Sequence, residues 1–342
     1  MPGLLQETPF QTITVKELHP TFGAEVEGVD FENLSEAQLA EIKAAMAKYG
    51  VCVFRKTGMD DDAHVAFSRH LGELDNIGRY IGPGRKLRYP QIELFDAGNL
   101  DENNQIIDPN SVRAHGNRGN GIFHVDSSFN PHRASFSLLK AVLIPPPETG
   151  GNTEFADSRT AWEELDESLK EELLRQDYVG AFSHAHSRKL GSPEFFKDVD
   201  PTTTPMSRHK IVQRHEPSGR LNLYIGAHLH HLEGGGITPE RSDELLALLQ
   251  KHATQDKYTF SVPWIQPGDM IIWDNRCVLH RAGPWSGEGK YARDLRRTTV
   301  HDDSPTAWGV NAVGTAAPTF AHYINGKPGT AAAVHTPAAI KV

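Results

Sequence analysis

The chain has 342 residues, 38% of them hydrophobic and 23% charged, enough apolar content to bury a sizeable core. Lys and Arg total 35 against 44 Asp and Glu, a net charge of -9, which is a poor footprint for binding nucleic acid or an anionic membrane surface. There is no apolar run of about 18 residues to span a bilayer, MPGLLQETPFQTITV lacks the regions of a signal peptide, and Cys52 and Cys277 offer no disulfide framework, so a cytoplasmic protein in a reducing compartment is expected.

FQTITVKEL and FGAEVEGVDF read as two short extended segments. Ser35 and Gln38 fit a capping box opening a helix whose spacing Leu39, Ile42, Met46 and Tyr49 keep and Gly50 ends. VCVFR reads as a buried strand, and DDDAHVAFSRHLG as a helix with acidic residues at the positive end of its dipole. From about 76 to 120, Gly, Pro, Asn and Arg crowd the chain and predict a long loop. Loops of such length in compact domains are usually functional, and this one runs into FHVDSSF, so a lid is expected there. Its Arg79, Arg85, Lys86, Arg88 and Arg113 read as solvated. SFSLLKAVLIPP is β-like, ETGGNTEF a turn and short strand, and SRTAWEELDESLKEELL one amphipathic helix. Residues 184–214 lack periodicity and read as an insertion.

RLNLYIG reads as a strand, Thr238 and Pro239 open a helix through ERSDELLALLQKHAT, and KYTFSVPW, DMIIWDN, RCVLHRA and DLRRTTV are closely spaced strands. The sum is a mostly β chain with helical decoration (α+β) on a jelly-roll core. Residues 1–303 form one domain in this reading. Residues 304–342, rich in Ala, Pro, Gly and Thr, are a C-terminal extension, either loosely ordered or packed on the surface, with Phe320, Tyr323 or Ile324 placed to reach back.

Side chains two apart in a strand share a face, so His124 and Asp126 of FHVDSSF converge on one point. His280 completes two imidazoles and a carboxylate, the ligand set of a mononuclear non-haem Fe(II) site with open positions. Arg293 and Arg297, four apart, share a strand face from which Arg296 points away. Two inward guanidiniums near a metal are costly unless anions meet them. A dicarboxylic 2-oxo acid meets that need, chelating the metal at one end and pairing with arginine at the other, and Thr153 offers a hydroxyl. Phe123, Phe129 and Trp273 read as core.

With FHVDSSF, GGNTEF, YIGAHLHHLEG, HATQ, WDNRCVLHR and RDLRRTT in order, the chain resembles the Fe(II)- and 2-oxoglutarate-dependent taurine and aryloxyalkanoate dioxygenases, most of all the dichlorophenoxyacetate branch, from roughly residue 15 to 303. The resemblance implies a double-stranded β-helix, the cupin-like jelly roll, with iron on His124, Asp126 and His280. It implies Arg297 and Thr153 on the distal carboxylate of 2-oxoglutarate and Arg293 near its C1 carboxylate. Asn120 and His228 match positions that approach the substrate, and a homodimer or homotetramer follows from the same likeness. The PWSGEGKY segment is longer than in the family pattern. The implied reaction consumes O2, releases succinate and CO2, and hydroxylates a small carboxylate-bearing substrate, with cleavage where that carbon carries an ether oxygen or amine. Two other outcomes stay open: the same iron chemistry ending in desaturation or ring closure on an amino acid or sulfonate, and a non-catalytic jelly roll that binds a metal or small acid. The arginine pair counts against the second.

Overall fold

The computed structural model describes residues 10–80 and 86–316, so Arg85, Phe320, Tyr323 and Ile324 lie outside the described residues. Four sheets form among the described residues. The largest has the order β1 (Thr14–Glu17), β2 (Ala24–Glu27), β3 (Val51–Phe54), β13 (Met270–Asp274), β5 (Ala134–Leu143), β15 (Asp294–His301) and β4 (Phe95–Asp96). All its neighbours are antiparallel except β2 and β3. A second sheet joins β12 (Thr259–Val262), β6 (Thr153–Asp157) and β14 (Val278–Ala282). A third joins β11 (Leu229–Glu233), β7 (Val179–Phe182) and β8 (Ser207–Lys210), and β9 (Val212–His215) pairs with β10 (Arg220–Leu223). The helices are α1 (Glu36–Tyr49), α2 (Asp61–Arg69), α3 (Val112–Arg118), α4 (Ser158–Glu163), α5 (Glu167–Gln176), α6 (His184–Gly191) and α7 (Pro239–Ala253). None is long and apolar enough to cross a membrane.

The period of two along a strand decides which layer each side chain joins. On β13, Ile271 and Trp273 pack with Phe155 of β6, Val262 of β12 and Val278 of β14, filling the space between the two sheets. Their neighbours Met270 and Ile272 face the other way and pack with Ile42 and Met46 of α1 and Phe67 of α2. MIIWD is apolar on both faces because both faces are covered. Truncating Trp273 to Ala would cost roughly 3–5 kcal/mol by opening a cavity between the layers.

Local signals are met with informative exceptions. Ser35 Oγ accepts the Gln38 N–H at 3.1 Å and Gly50 ends α1 at φ 69°. The box is only half closed, because the Gln38 side chain donates to Gly28 O at 2.9 Å instead of returning to its cap. SRTAWEELDESLKEELL is two helices, α4 and α5. Asp166 Oδ1 accepts the N–H groups of Ser168 and Leu169, starting a second helix where continuous periodicity predicts one.

The expected long loop carries α3 and the edge strand β4, whose Phe95 and Asp96 pair with Arg297 and Arg296. Arg88, read as solvated, is buried between Asp294 at 3.0 Å and Asp96 at 3.1 Å, and Arg113 joins Asp96 at 2.9 Å. Residues 184–214 hold α6, β8 and β9, so much of that stretch belongs to the sheets. The start of the C-terminal stretch packs on the surface: Trp308 stacks on His132 at 4.5 Å, and Ala307 O accepts the Arg133 N–H at 3.1 Å.

Candidate active site

His124 and His280 are backbone partners. Each N–H donates to the other's carbonyl at 2.9 Å, an isolated antiparallel bridge across 156 residues of chain. That pairing brings the rings to 4.3 Å between centroids. His124 was expected to share a strand with Asp126, but only His124 is paired, and Asp126 opens a turn running to Phe129. The Asp126 N–H, removed from any ladder, donates to Asn275 Oδ1 at 3.1 Å, and Ser127 takes φ 57°. The close approach also needs glycine opposite: a Cβ on Gly226 (φ 125°) would lie 2.8 Å from His124 Cα.

The donors suit a metal. His124 Nδ1 sits 2.8 Å from Ile122 O, which fixes that nitrogen as the N–H donor and leaves Nε2 as the lone-pair donor. Nε2 of His124 lies 3.8 Å from Asp126 Oδ1, and Nε2 of His280 lies 3.4 Å from Oδ2. Ligands about 2.0–2.2 Å from a shared centre stand at about such separations from one another. Burial pulls His124 down to about 4 and His280 well below its ordinary value, against the pull of Asp126, so both rings are neutral at neutral pH, the state that a metal requires of an imidazole donor. Burial alone would raise Asp126. The nearby Arg297, His280 and His124 and the Ser137 hydroxyl hold it well below the usual carboxylate range instead. Ser137 Oγ donates to Asp126 Oδ2 at 2.8 Å and accepts from Asn275 Nδ2 at 3.0 Å, so one asparagine braces both backbone and side chain of Asp126.

Both histidines line a cavity of about 390 Å³, together with Thr153, Arg293, Arg297 and Asn120. Its apolar wall includes Phe95, Ile107, Leu139, Trp273, Trp285 and Leu295. Trp273, read as core, is both core and wall, its ring 4.6 Å from that of His280. The alternation across Arg293, Leu295 and Arg297 points all three inward, while Arg296 turns to Asp294 and Asp61.

The two inward arginines differ. Arg297 Nη1 is 2.6 Å from Asp126 Oδ1, which puts this guanidinium at the end of the cavity that holds His124, Asp126 and His280, and its Nε is buried with no hydrogen-bond partner among the described residues. Arg293 donates from Nη2 to Gly151 O at 2.7 Å and lies over Trp285. Gly151 bonds to Pro284 O, four residues beyond His280 and so about 13 Å along that stretch at 3.3 Å per residue. Burial lowers Arg293 to about 10, and no carboxylate neutralises it among the described residues. Thr153 pairs with Ala282, between the two ends.

His228 is buried behind His124, with ring centroids 5.4 Å apart, and contacts Phe129 at 4.8 Å; it does not line the cavity. Asn120 does. Its Oδ1 accepts from Arg188 Nη1 at 2.7 Å. Arg188 sits in the stretch that sequence periodicity leaves as an insertion, and burial lowers it to about 10. Its signal in the sequence is slight, one arginine in a polar run. Asn275 and Ser137 likewise carry no signal in the sequence, since neither residue type advertises a brace.

Known proteins resemble this chain in sequence and fold. Residues 14–299 match the family described as "Taurine catabolism dioxygenase TauD, TfdA family". The alpha-ketoglutarate-dependent 2,4-dichlorophenoxyacetate dioxygenase of Burkholderia sp. (strain RASC) is 36% identical over 294 residues, 84% of this chain and 94% of that protein. The enzyme of the same description from Cupriavidus pinatubonensis (strain JMP 134 / LMG 1197) is 35% identical over 297 residues, 86% of this chain and 99% of that one. The crystal structure of AAD-2 with Mn(II) and N-oxalylglycine superposes with a TM-score of 0.74 at 32% identity, covering 86% of this chain and 99% of that one. A taurine dioxygenase from Burkholderia xenovorans gives a TM-score of 0.66 at 26% identity, covering 90% of this chain and 94% of that one. The fold is the α+β jelly roll that the sequence resemblance implies.

Proposed function

The chain belongs to the taurine catabolism dioxygenase TauD, TfdA family, and from that premise we propose that it oxidises an aryloxyalkanoate in the cavity beside His124, Asp126 and His280. It is an Fe(II)- and 2-oxoglutarate-dependent dioxygenase that hydroxylates a small carboxylate substrate. Iron, 2-oxoglutarate and O2 when bound supply the oxidising power for an unactivated C–H bond, with succinate and CO2 released.

The protein's part is binding, orientation and exclusion. His124, Asp126 and His280 would hold the iron as two neutral donors and one anion, leaving positions open for co-substrate and O2. Arg293 and Thr153 would take the distal carboxylate of 2-oxoglutarate, and Arg297 would stand at its metal end. This exchanges the roles that the sequence resemblance implies for the two arginines. Supporting the exchange, Arg297 is already committed to Asp126, whereas Arg293 is a buried cation with only a neutral acceptor. The aromatic and aliphatic wall suits a flat apolar body.

One observation carries the reading: a corner of neutral imidazoles and one carboxylate opens on the same cavity as an unneutralised buried guanidinium. The test begins anaerobically. Fe(II) and 2-oxoglutarate added together should give a visible charge-transfer band, and 2,4-dichlorophenoxyacetate or a phenoxypropionate should then stimulate succinate release in air. No band would overturn the iron site. A band with stimulation only by taurine or other sulfonates would overturn the substrate class.

A further inference from the structure

Helix α6 presses directly on the turn that carries Asn120. A Cβ on Gly119 would lie 2.8 Å from Ser187 O and 2.9 Å from Arg188 Nη1, and one on Gly191 would run into the Gly119 backbone. Glycine at both places permits an approach that seats Arg188 against the turn. There Arg188 Nη1 donates to Gly116 O at 2.6 Å and to Asn120 Oδ1 at 2.7 Å, both neutral acceptors.

A guanidinium has five donors and no acceptor, so the carboxamide atom facing it is the oxygen. The flip of an asparagine amide is ordinarily a matter of assignment; here the chemistry of the partner decides it. With Oδ1 held by Arg188, both N–H groups of Nδ2 are turned away from α6. Among the described residues they have no acceptor, and Asn120 lines the same cavity as His124 and His280.

We propose that Arg188 is a positioning residue that sets the polarity of the cavity wall, holding the Asn120 carboxamide so that its N–H donors meet an acceptor oxygen of the substrate. The inference deepens the reading under Proposed function and, for the identity of the substrate, rests on it. The selected ligand places a carboxylate or ether oxygen against Asn120 and is discriminated from an analogue with a donor there. A hydrogen-bond donor left facing a ligand without an acceptor loses affinity because its water is not replaced.

Two measurements test it. In full-length protein labelled with 15N-asparagine, the Asn120 side-chain amide pair is identified by its absence in Asn120→Asp. Arg188→Met should shift that pair, and Arg188→Lys, which keeps one cationic donor, should move it less. A pair that stays in place in Arg188→Met overturns the proposal, whatever the enzyme's substrate. In the Fe(II)- and 2-oxoglutarate-supplied enzyme with 2,4-dichlorophenoxyacetate, Asn120→Ala and Arg188→Met should each raise the substrate KM by roughly ten- to hundredfold. The KM for 2-oxoglutarate should stay within about twofold. The double variant should be no worse than Asn120→Ala alone, because Arg188 acts through Asn120. Asn120→Asp, pairing with Arg188 and offering only acceptors, should be worse than Asn120→Ala for an anionic substrate. Additive effects, or a parallel rise in both KM values, would reduce Arg188 to a support of the fold and sink the idea. No turnover of any acid by the wild-type enzyme would refute the substrate reading, while the amide resonances still decide the Arg188–Asn120 link.

Discussion

Among the described residues, two buried groups built on histidine and aspartate bring potential metal donors together, and they are built for opposite ends. His215, Asp274 and Cys277 bring donors as close together as His124, Asp126 and His280 do. In the first group every lone pair of the carboxylate is taken. Asp274 Oδ1 accepts from the backbone N–H and Nε of Arg276, both at 2.9 Å, and Oδ2 accepts from Arg276 Nη2 at 2.7 Å and His215 Nε2 at 3.0 Å. The other nitrogen of His215 meets Ser218 Oγ at 2.6 Å. In the second group the imidazole Nε2 atoms stand 3.8 and 3.4 Å from the oxygens of Asp126 without hydrogen-bonding to them, and both rings face the cavity. Residue type and proximity are therefore poor guides to a metal site. Unsubscribed lone pairs on a cavity wall are the better ones.

The largest expected effect is on that open corner. Replacing His124, Asp126 or His280 with Ala should bring bound iron and substrate-stimulated succinate release to background while the protein stays folded. Cys277→Ala, in the closed group, should leave both unchanged. Iron content and succinate measured side by side check this. Loss of iron in Cys277→Ala would erase the distinction between the groups.

Next is Asp274→Asn. It leaves the buried Arg276 with Asp302, at 3.2 Å, as its one carboxylate partner among the described residues. Breaking a buried pair by removing one member costs roughly 3–5 kcal/mol. Denaturant unfolding should show that loss while iron per folded molecule is retained, and a loss under about 1 kcal/mol would mean the network is not holding the fold. Smaller again, Arg293→Met should raise the 2-oxoglutarate KM roughly tenfold or more by removing a charge-assisted bond. Titration of the anaerobic charge-transfer band with 2-oxoglutarate should show a matching rise in the dissociation constant. An unchanged KM in Arg293→Met with a raised one in Arg297→Met would return the distal carboxylate to Arg297.

The legible parts of this molecule are those where one local rule acts alone. Ser35 and Gly50 bound α1, and Thr238 caps α7 with its Oγ1 accepting the Arg241 N–H at 3.2 Å. The convergence of His124, Asp126 and His280 and the inward face of Arg293 and Arg297 are likewise legible, although the strand expected to carry both His124 and Asp126 is not formed. Where a tertiary partner decides the outcome, the local pattern falls silent. Asp126 leaves the strand because Asn275, 149 residues away, accepts its N–H. Phe95 and Asp96 become a strand only because β15 offers an edge. Arg188 looks like any polar surface residue until α6 is seated on Gly119. Which arginine is neutralised by Asp126 also depends on depth along the cavity, a distance that residue spacing on one strand face leaves open.

The smallest effect concerns two buried histidines that, unlike His215 with its Asp274, hydrogen-bond no carboxylate among the described residues. His64 and His209 are fully buried. Nε2 of His64 is 3.3 Å from Thr298 Oγ1, and Nε2 of His209 donates to Asn130 O at 2.9 Å. Burial pushes both down to about 3. In the unfolded chain each takes a proton near pH 6.5, so below that pH the unfolded state binds more protons than the folded one. Stability is therefore complete above about pH 6.5 and falls as the pH drops, by about 1.4 kcal/mol per pH unit for each group, until the folded pKa is reached. Asp274, whose pKa is depressed by Arg276 and His215 against the effect of burial, withdraws its contribution only below the ordinary carboxylate range. The window between about pH 4.5 and 6.5 thus reports the histidines. Urea unfolding across it should slope upward with pH, and His209→Gln, keeping a donor for Asn130 O, should make the slope shallower by one group's share. A flat profile, or an unchanged slope in the variant, would show that burial does not hold these rings neutral.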